Sequence, residues 1–241
     1  MPLRTLYKPA AFIAMAASML ALIPQANATI VDYSFDQYTG TGTPPSGPPY
    51  GTVELNDNGG SDVTVTVKLL SNEGFIDTGA GDSLMWQLNT GSPVTITGLT
   101  NGFTLINNDV LTGQTGGTGK WLYAITCNDS NQDGKNNPDT EACATGGSGP
   151  YLGTLSFTID NVTLSDFTTN AAGFYFGSDI CTSVVASTGK CQQGAYTGDI
   201  ASDTRKIIDV PEPGSFALLA VGLAGLGFGT RRAGYWVSAE G

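Results

Sequence analysis

The 241-residue chain contains no histidine. That absence removes Ser-His-Asp and Cys-His catalysis, and every zinc or iron centre that needs an imidazole ligand. Basic side chains are scarce too: ten Lys and Arg stand against twenty-one Asp and Glu, for a net charge of −11. Four of those bases (Arg4, Lys8, Arg231, Arg232) sit near the ends, so the stretch between them is more acidic still. Lys135, Lys190, Arg205 and Lys206 are too scattered to form a basic patch. Nucleic acid and anionic lipid are therefore poor partners, whereas divalent cations and neutral polymers suit such a surface. There is no glycine-rich phosphate loop, no Cys-x-x-Cys knuckle and no repeat at a fixed period.

A helical apolar period is also missing from the middle of the chain, and the period found there is two. Val63, Val65, Val67 and Leu69 alternate with Thr64, Thr66 and Lys68, which gives one apolar and one wet face, as in a strand. Similar runs recur at Ile30–Phe35, Gly51–Leu55, Leu84–Leu88, Val94–Ile96, Phe103–Ile106, Trp121–Thr126, Leu152–Ile159, Val162–Leu164 and Gly173–Phe176. Gly, Asn, Asp and Pro crowd the gaps, as turn geometry requires. Asn58-Gly59-Gly60 predicts a tight turn, since both residue types accept positive φ, and Asp160-Asn161 gives a weaker signal of the same kind. The expected fold is all-β, a two-sheet antiparallel sandwich of about nine or ten strands. The Gly, Thr, Ser and Pro stretch Thr39–Pro49 reads as an exposed loop or a polyproline-like crossover.

Four cysteines form two local pairs, Cys127/Cys143 and Cys181/Cys191. Three connectivities are open; the local one is favoured, because each bridge closes a hydrophilic loop and so restricts the unfolded chain. Oxidised cysteines fit an exported protein. Inside the first pair, Asp129, Asn131 and Asp133 put side-chain oxygens at alternate positions before a turn at Gly134. With the Lys135 carbonyl and Asn137 they match the way a calcium loop wraps oxygens around a hard cation at about 2.4 Å. The loop resembles those of EF-hand, dockerin and thrombospondin type-3 sites. It departs at the closing position, which is Thr140, with Asp139 and Glu141 on either side as the carboxylates to complete the set. The competing reading is a long turn built from Asp, Asn and Gly.

Paired carboxylates are the one catalytic device left, and a sandwich can present them for glycoside hydrolysis. Residue type alone does not make an enzyme of an acidic exported chain, and none is expected here. Tyrosines can grip sugar rings through an apolar face and a polar tip. Tyr38 and Tyr50 flank the Pro-rich loop and Tyr196 follows the second cysteine pair; these three are the candidates for a glycan surface.

Both ends read as targeting segments. At the N-terminus, Arg4 and Lys8 precede an apolar run from Ala10 to Ile23, then Pro24 and the small-x-small step Ala26-Asn27-Ala28. This is the layout of a cleavable leader over residues 1–28. At the other end, Val210-Pro211-Glu212-Pro213-Gly214 opens a small and apolar run over Ser215–Gly229 that stops at Arg231-Arg232. Gly214 to Thr230 would make about 25 Å of helix, at the lower limit for a bilayer core of roughly 30 Å. Its glycines are tolerated where another helix packs closely, and the two arginines suit a cytoplasmic anchor. This tail resembles the PEP-CTERM signal of Gram-negative bacteria. The resemblance implies an exosortase-type membrane protease as partner, transient anchoring in the inner membrane, then cell-surface or extracellular delivery, and often company with exopolysaccharide and biofilm systems. The expected division is a leader at 1–28, a β-domain at 29–200, a linker with the Pro-Glu-Pro step at 201–213, the apolar segment with its basic stop at 214–232, and a short tail at 233–241. Two functions remain open: a non-catalytic surface or matrix protein, and a calcium-dependent carbohydrate-binding module.

Overall fold

The structure, a computed structural model, describes residues 28–39, 47–78, 82–90, 93–112, 118–128, 141–144, 148–192 and 197–209. All the regular elements among them are strands. In chain order these are β1 (Thr29–Phe35), β2 (Gln37–Tyr38), β3 (Gly51–Asn56), β4 (Val63–Leu69), β5 (Gly74–Phe75), β6 (Leu84–Trp86), β7 (Ile96–Thr97), β8 (Thr104–Thr112), β9 (Lys120–Thr126), β10 (Leu155–Ile159), β11 (Phe176–Cys181), β12 (Val184–Val185), β13 (Lys190–Cys191), β14 (Thr197–Ser202) and β15 (Arg205–Asp209). No helix of the described residues is long and apolar enough to cross a membrane. The leader and the apolar tail lie outside the described residues.

One sheet has the order β15-β1-β3-β4-β10-β7 and the other β2-β14-β11-β6-β9-β8, with β5 added against β11. The pairings are antiparallel, and β12 and β13 form a separate ribbon. In β3 and β4 the residues facing inward, Val53, Leu55, Val63, Val65 and Val67, are fully buried. Burying each such side chain stabilises the fold by about 1.5–3 kcal/mol. The two sheets pack on one another through aromatics. Trp86 of β6 stacks on Tyr123 of β9 at 5.6 Å and reaches Phe157 of β10 in the opposite sheet at 5.5 Å. Tyr33 of β1 meets Phe176 of β11 at 5.0 Å.

The turn at Asn58-Gly59 forms as expected, with φ of 48° and 72°. Asp57 fixes it: its Oδ1 accepts the Gly59 N–H at 3.0 Å and also the Thr29 N–H at 2.7 Å. Asn161 likewise takes φ 56°. Elsewhere the sequence reading needs correction. Fifteen strand segments are described instead of nine or ten, several of them only two residues long. Val162–Leu164 is no strand; Asp166 accepts the Thr163 N–H and hydroxyl, both at 2.8 Å, and holds a turn there, although Val162 and Leu164 still point into the core. Gly173–Phe176 is mostly a turn held by Asn170 Oδ1, and the strand begins where that run ends. The segment read as a linker from residue 201 is sheet as far as Asp209: Ala201 and Ser202 close β14, and β15 pairs with β1.

Candidate functional site

Strand alternation sorts the residues of β11 and β14 onto two faces. Ile180 and Ile200 enter the core between the sheets. Asp179 and Asp199 stand directly opposite each other on the other face, yet both are buried, at 0% and 1% exposure. The connection between β5 and β6 brings up Asp77, which is buried, and Asp82. Four carboxyls therefore share one region.

Threonines hold them in place. Asp179 Oδ2 accepts the Thr78 N–H at 3.0 Å and its hydroxyl at 2.6 Å. Asp199 Oδ2 accepts the Thr118 hydroxyl at 3.0 Å. Thr126 Oγ1 lies 3.0 Å from Asp77 Oδ2 and 2.8 Å from the Asn128 carbonyl; with one hydrogen it can donate to only one of them. Asp179 Oδ1 is buried without a hydrogen-bond partner. Burial, reinforced by the charges of Asp77 and Asp199, pushes the Asp82 carboxyl up to about 7. For Asp179, burial together with Asp199 and Asp77 outweighs the Thr78 hydrogen bonds and pushes the carboxyl up to about 8. Among the described residues no group of three acidic or cysteine side chains is placed to hold a metal ion. As placed, Asp82 and Asp179 are carboxyls that keep protons near neutral pH.

Sequence reasoning missed this cluster. A signal was present in the two Asp-Ile steps, Asp179-Ile180 and Asp199-Ile200: an inward Ile in a strand forces the neighbouring Asp onto the other face. Nothing in the sequence showed that this other face would also be covered.

The cluster adjoins the base of the expected calcium loop. Cys127 is bonded to Cys143 and Cys181 to Cys191, the local pairing. The base is tied further, with Asn128 Nδ2 donating to the Cys143 carbonyl at 3.2 Å and Ala142 N–H to the Gly102 carbonyl at 2.9 Å. Of the loop's ligand candidates, Glu141 is half-buried at this base. Asp129, Asn131, Asp133, Lys135, Asn137 and Asp139 lie outside the described residues. Of the tyrosines, Tyr38 and Tyr50 come together at 6.0 Å between ring centroids. Tyr50, however, is 5% exposed and belongs to the core, because its N–H bonds to the Phe35 carbonyl and brings the chain into the sheet beside β1. That removes it as a surface aromatic and leaves Tyr38, whose hydroxyl donates to the Thr197 carbonyl at 3.2 Å. Tyr196 lies outside the described residues. A separate hollow of about 210 Å³ is lined by Gln87, Lys120, Trp121, Leu122, Thr169, Asn170 and Ala171, with no carboxylate.

The last site is the exit of the chain from the sheet. Asp209 ends β15 opposite Thr29, the first residue of β1, so both ends of the β-domain leave it at one point. The Pro-Glu-Pro step follows within two residues of the last strand. A β-domain joined so closely to such a tail is the form of an exported protein sorted by its C-terminus. Residues 209–233 match the PEP-CTERM protein-sorting motif. Proteins that carry this motif are exosortase substrates, exported and processed at a membrane-associated site. No match was found among curated proteins or among solved structures.

Proposed function

We propose that the chain is a non-catalytic cell-surface or extracellular-matrix protein, associated with exopolysaccharide in a biofilm and released or re-anchored by an exosortase-type protease at its tail. The observation that carries this reading is the sorting motif, which begins at the last residue of the β-domain. In this account residues 1–28 are the leader, Ser215–Gly229 holds the chain in the inner membrane, and Arg231 and Arg232 stay inside. The test is to follow a chain tagged near Thr43 in cells that make and cells that lack exopolysaccharide. Retention in the extracellular matrix only where the polymer is present is the expected result; equal release from both would reject the association.

A calcium-dependent carbohydrate-binding module is the second reading. It is favoured by the fixed base of the 127–143 loop, whose disulfide and backbone bonds would let a bound ion order the residues between. Affinity electrophoresis through defined glycans, with and without chelator, separates the two. Saturable, chelator-sensitive retention by one glycan decides for the module.

A further inference from the structure

The sorting motif and the sheet meet at one residue. Its match begins at Asp209, the last residue of β15, and among the described residues β15 pairs only with β1, at the edge of its sheet. The register runs Thr29↔Asp209, Val31↔Ile207 and Tyr33↔Arg205. Arg205, Lys206 and Ile207 are all exposed, Ile207 to 58%, so none of these three side chains anchors the strand in the core. Such a strand is held mainly by its ladder and belongs to the low-stability part of a fold.

From Asp209 to Pro211 there are two residues, about 7 Å of extended chain, and from Asp209 to Ser215 about 20 Å. With Ser215–Gly229 in the bilayer, as proposed above, the β-domain can stand no farther than that reach from the membrane surface. A protease that cuts near Pro211–Pro213 grips its substrate as an extended strand on both sides of the cut, through main-chain hydrogen bonds. On the upstream side β1 already occupies one of the two hydrogen-bonding edges of β15, and the sheet ends within about 7 Å of Pro211, so a cleft cannot close around that strand while it stays paired.

We propose that β15 is a releasable strap: it must leave β1 before the sorting protease can engage the Pro-Glu-Pro segment, and it closes back on the sheet edge once the tail is gone. This rests on the reading of that segment as the processing point. The strap makes the opening of β15, and not only access to the membrane, a determinant of how fast the chain is trimmed.

The test locks the strap in the full-length chain, in cells that contain the protease. Asp32 and Lys206 are directly opposed across β1 and β15, so Asp32→Cys with Lys206→Cys places a disulfide between the strands. The locked chain should be trimmed slower than wild type by about tenfold or more, and reductant should restore trimming. Each single variant should be trimmed normally. A flexible Gly/Ser insert of about ten residues between Asp209 and Val210 should restore trimming even with the lock closed, since the motif then clears the sheet. Normal trimming of the locked chain would overturn the strap and show that the protease accepts the paired edge. Failure of the insert to rescue would also overturn it, because the lock would then act by another route. A wild-type chain left untrimmed would overturn the processing reading itself, and the strap with it.

Discussion

Asp179, buried opposite Asp199 across two strands, and the nearby Asp82 couple the stability of the domain to pH. Asp179 and Asp82 have carboxyls raised to about 8 and about 7, so the folded state holds protons that the unfolded chain releases near pH 4. Their contribution is fully present below the unfolded value and is lost as pH rises through about 7 to 8. Urea unfolding of the domain spanning residues 28–209 should therefore show higher stability at pH 5 than at pH 8.5. Asp179→Asn keeps the volume and an acceptor for Thr78 while removing the charge, so it should flatten this dependence and stabilise the domain at pH 8.5. An unchanged pH profile in that variant would assign the dependence to other groups. The cluster was illegible in the sequence because a buried and an exposed aspartate look alike there. Tyr50 shows the reverse error: a tyrosine beside a Pro-rich loop reads as exposed, and only the pairing of β3 with β1, which starts at the Tyr50 N–H, shows that it is covered.

At the scale of elements, the sequence was clearest where one face of a strand is wet. The alternation in Val63–Leu69 predicts the bounds of β4 to the residue. It was blind to β11 and β14, because Phe176-Gly-Ser-Asp-Ile-Cys181 is buried throughout and alternates in no hydrophobic sense. β15 was hidden for another reason: Arg205 and Lys206, exposed on an edge strand, look like linker. The loop closed by Cys127 and Cys143 is the element whose removal is simplest to measure. Cys127→Ala with Cys143→Ala should cost about 3 kcal/mol in chemical denaturation, the order expected for a loop of about fifteen residues. Non-reducing peptide mapping of the wild type should recover Cys127 linked to Cys143 and Cys181 to Cys191. Calcium bound at the loop would add stability by mass action, roughly 2.7 kcal/mol at a hundredfold excess over Kd. Asp129→Asn with Asp133→Asn should abolish that increment, and a wild-type melting midpoint unmoved between chelator and millimolar calcium would make the loop a plain turn.

At the scale of the whole molecule, the fold gives both ends one exit, since β1 begins opposite the end of β15. In our reading the domain hangs from the membrane by that edge, with the far ends of β1 and β15, at Tyr33 and Arg205, directed along the sheet away from it. Two forces hold the chain there in our reading: insertion of Ser215–Gly229 into the bilayer, and the cost of moving Arg231 and Arg232 across it. A central Arg costs about 2.5–3.5 kcal/mol on insertion scales, so the pair resists passage of the tail out of the cytoplasm. Arg231→Glu with Arg232→Glu keeps the apolar run but removes the positive-inside signal, and should shift part of the chain from the membrane to the soluble exported fraction. Deleting Val210–Gly241 removes both forces while leaving β15 complete, and should send all of the folded domain there. Cell fractionation of these two variants beside the full-length chain, each tagged near Thr43, reads the outcome. The order expected for membrane retention is full length, then the Arg-to-Glu variant, then the truncation. Identical distribution of all three, with no trimming of the full-length tail, would refute sorting by residues 210–232.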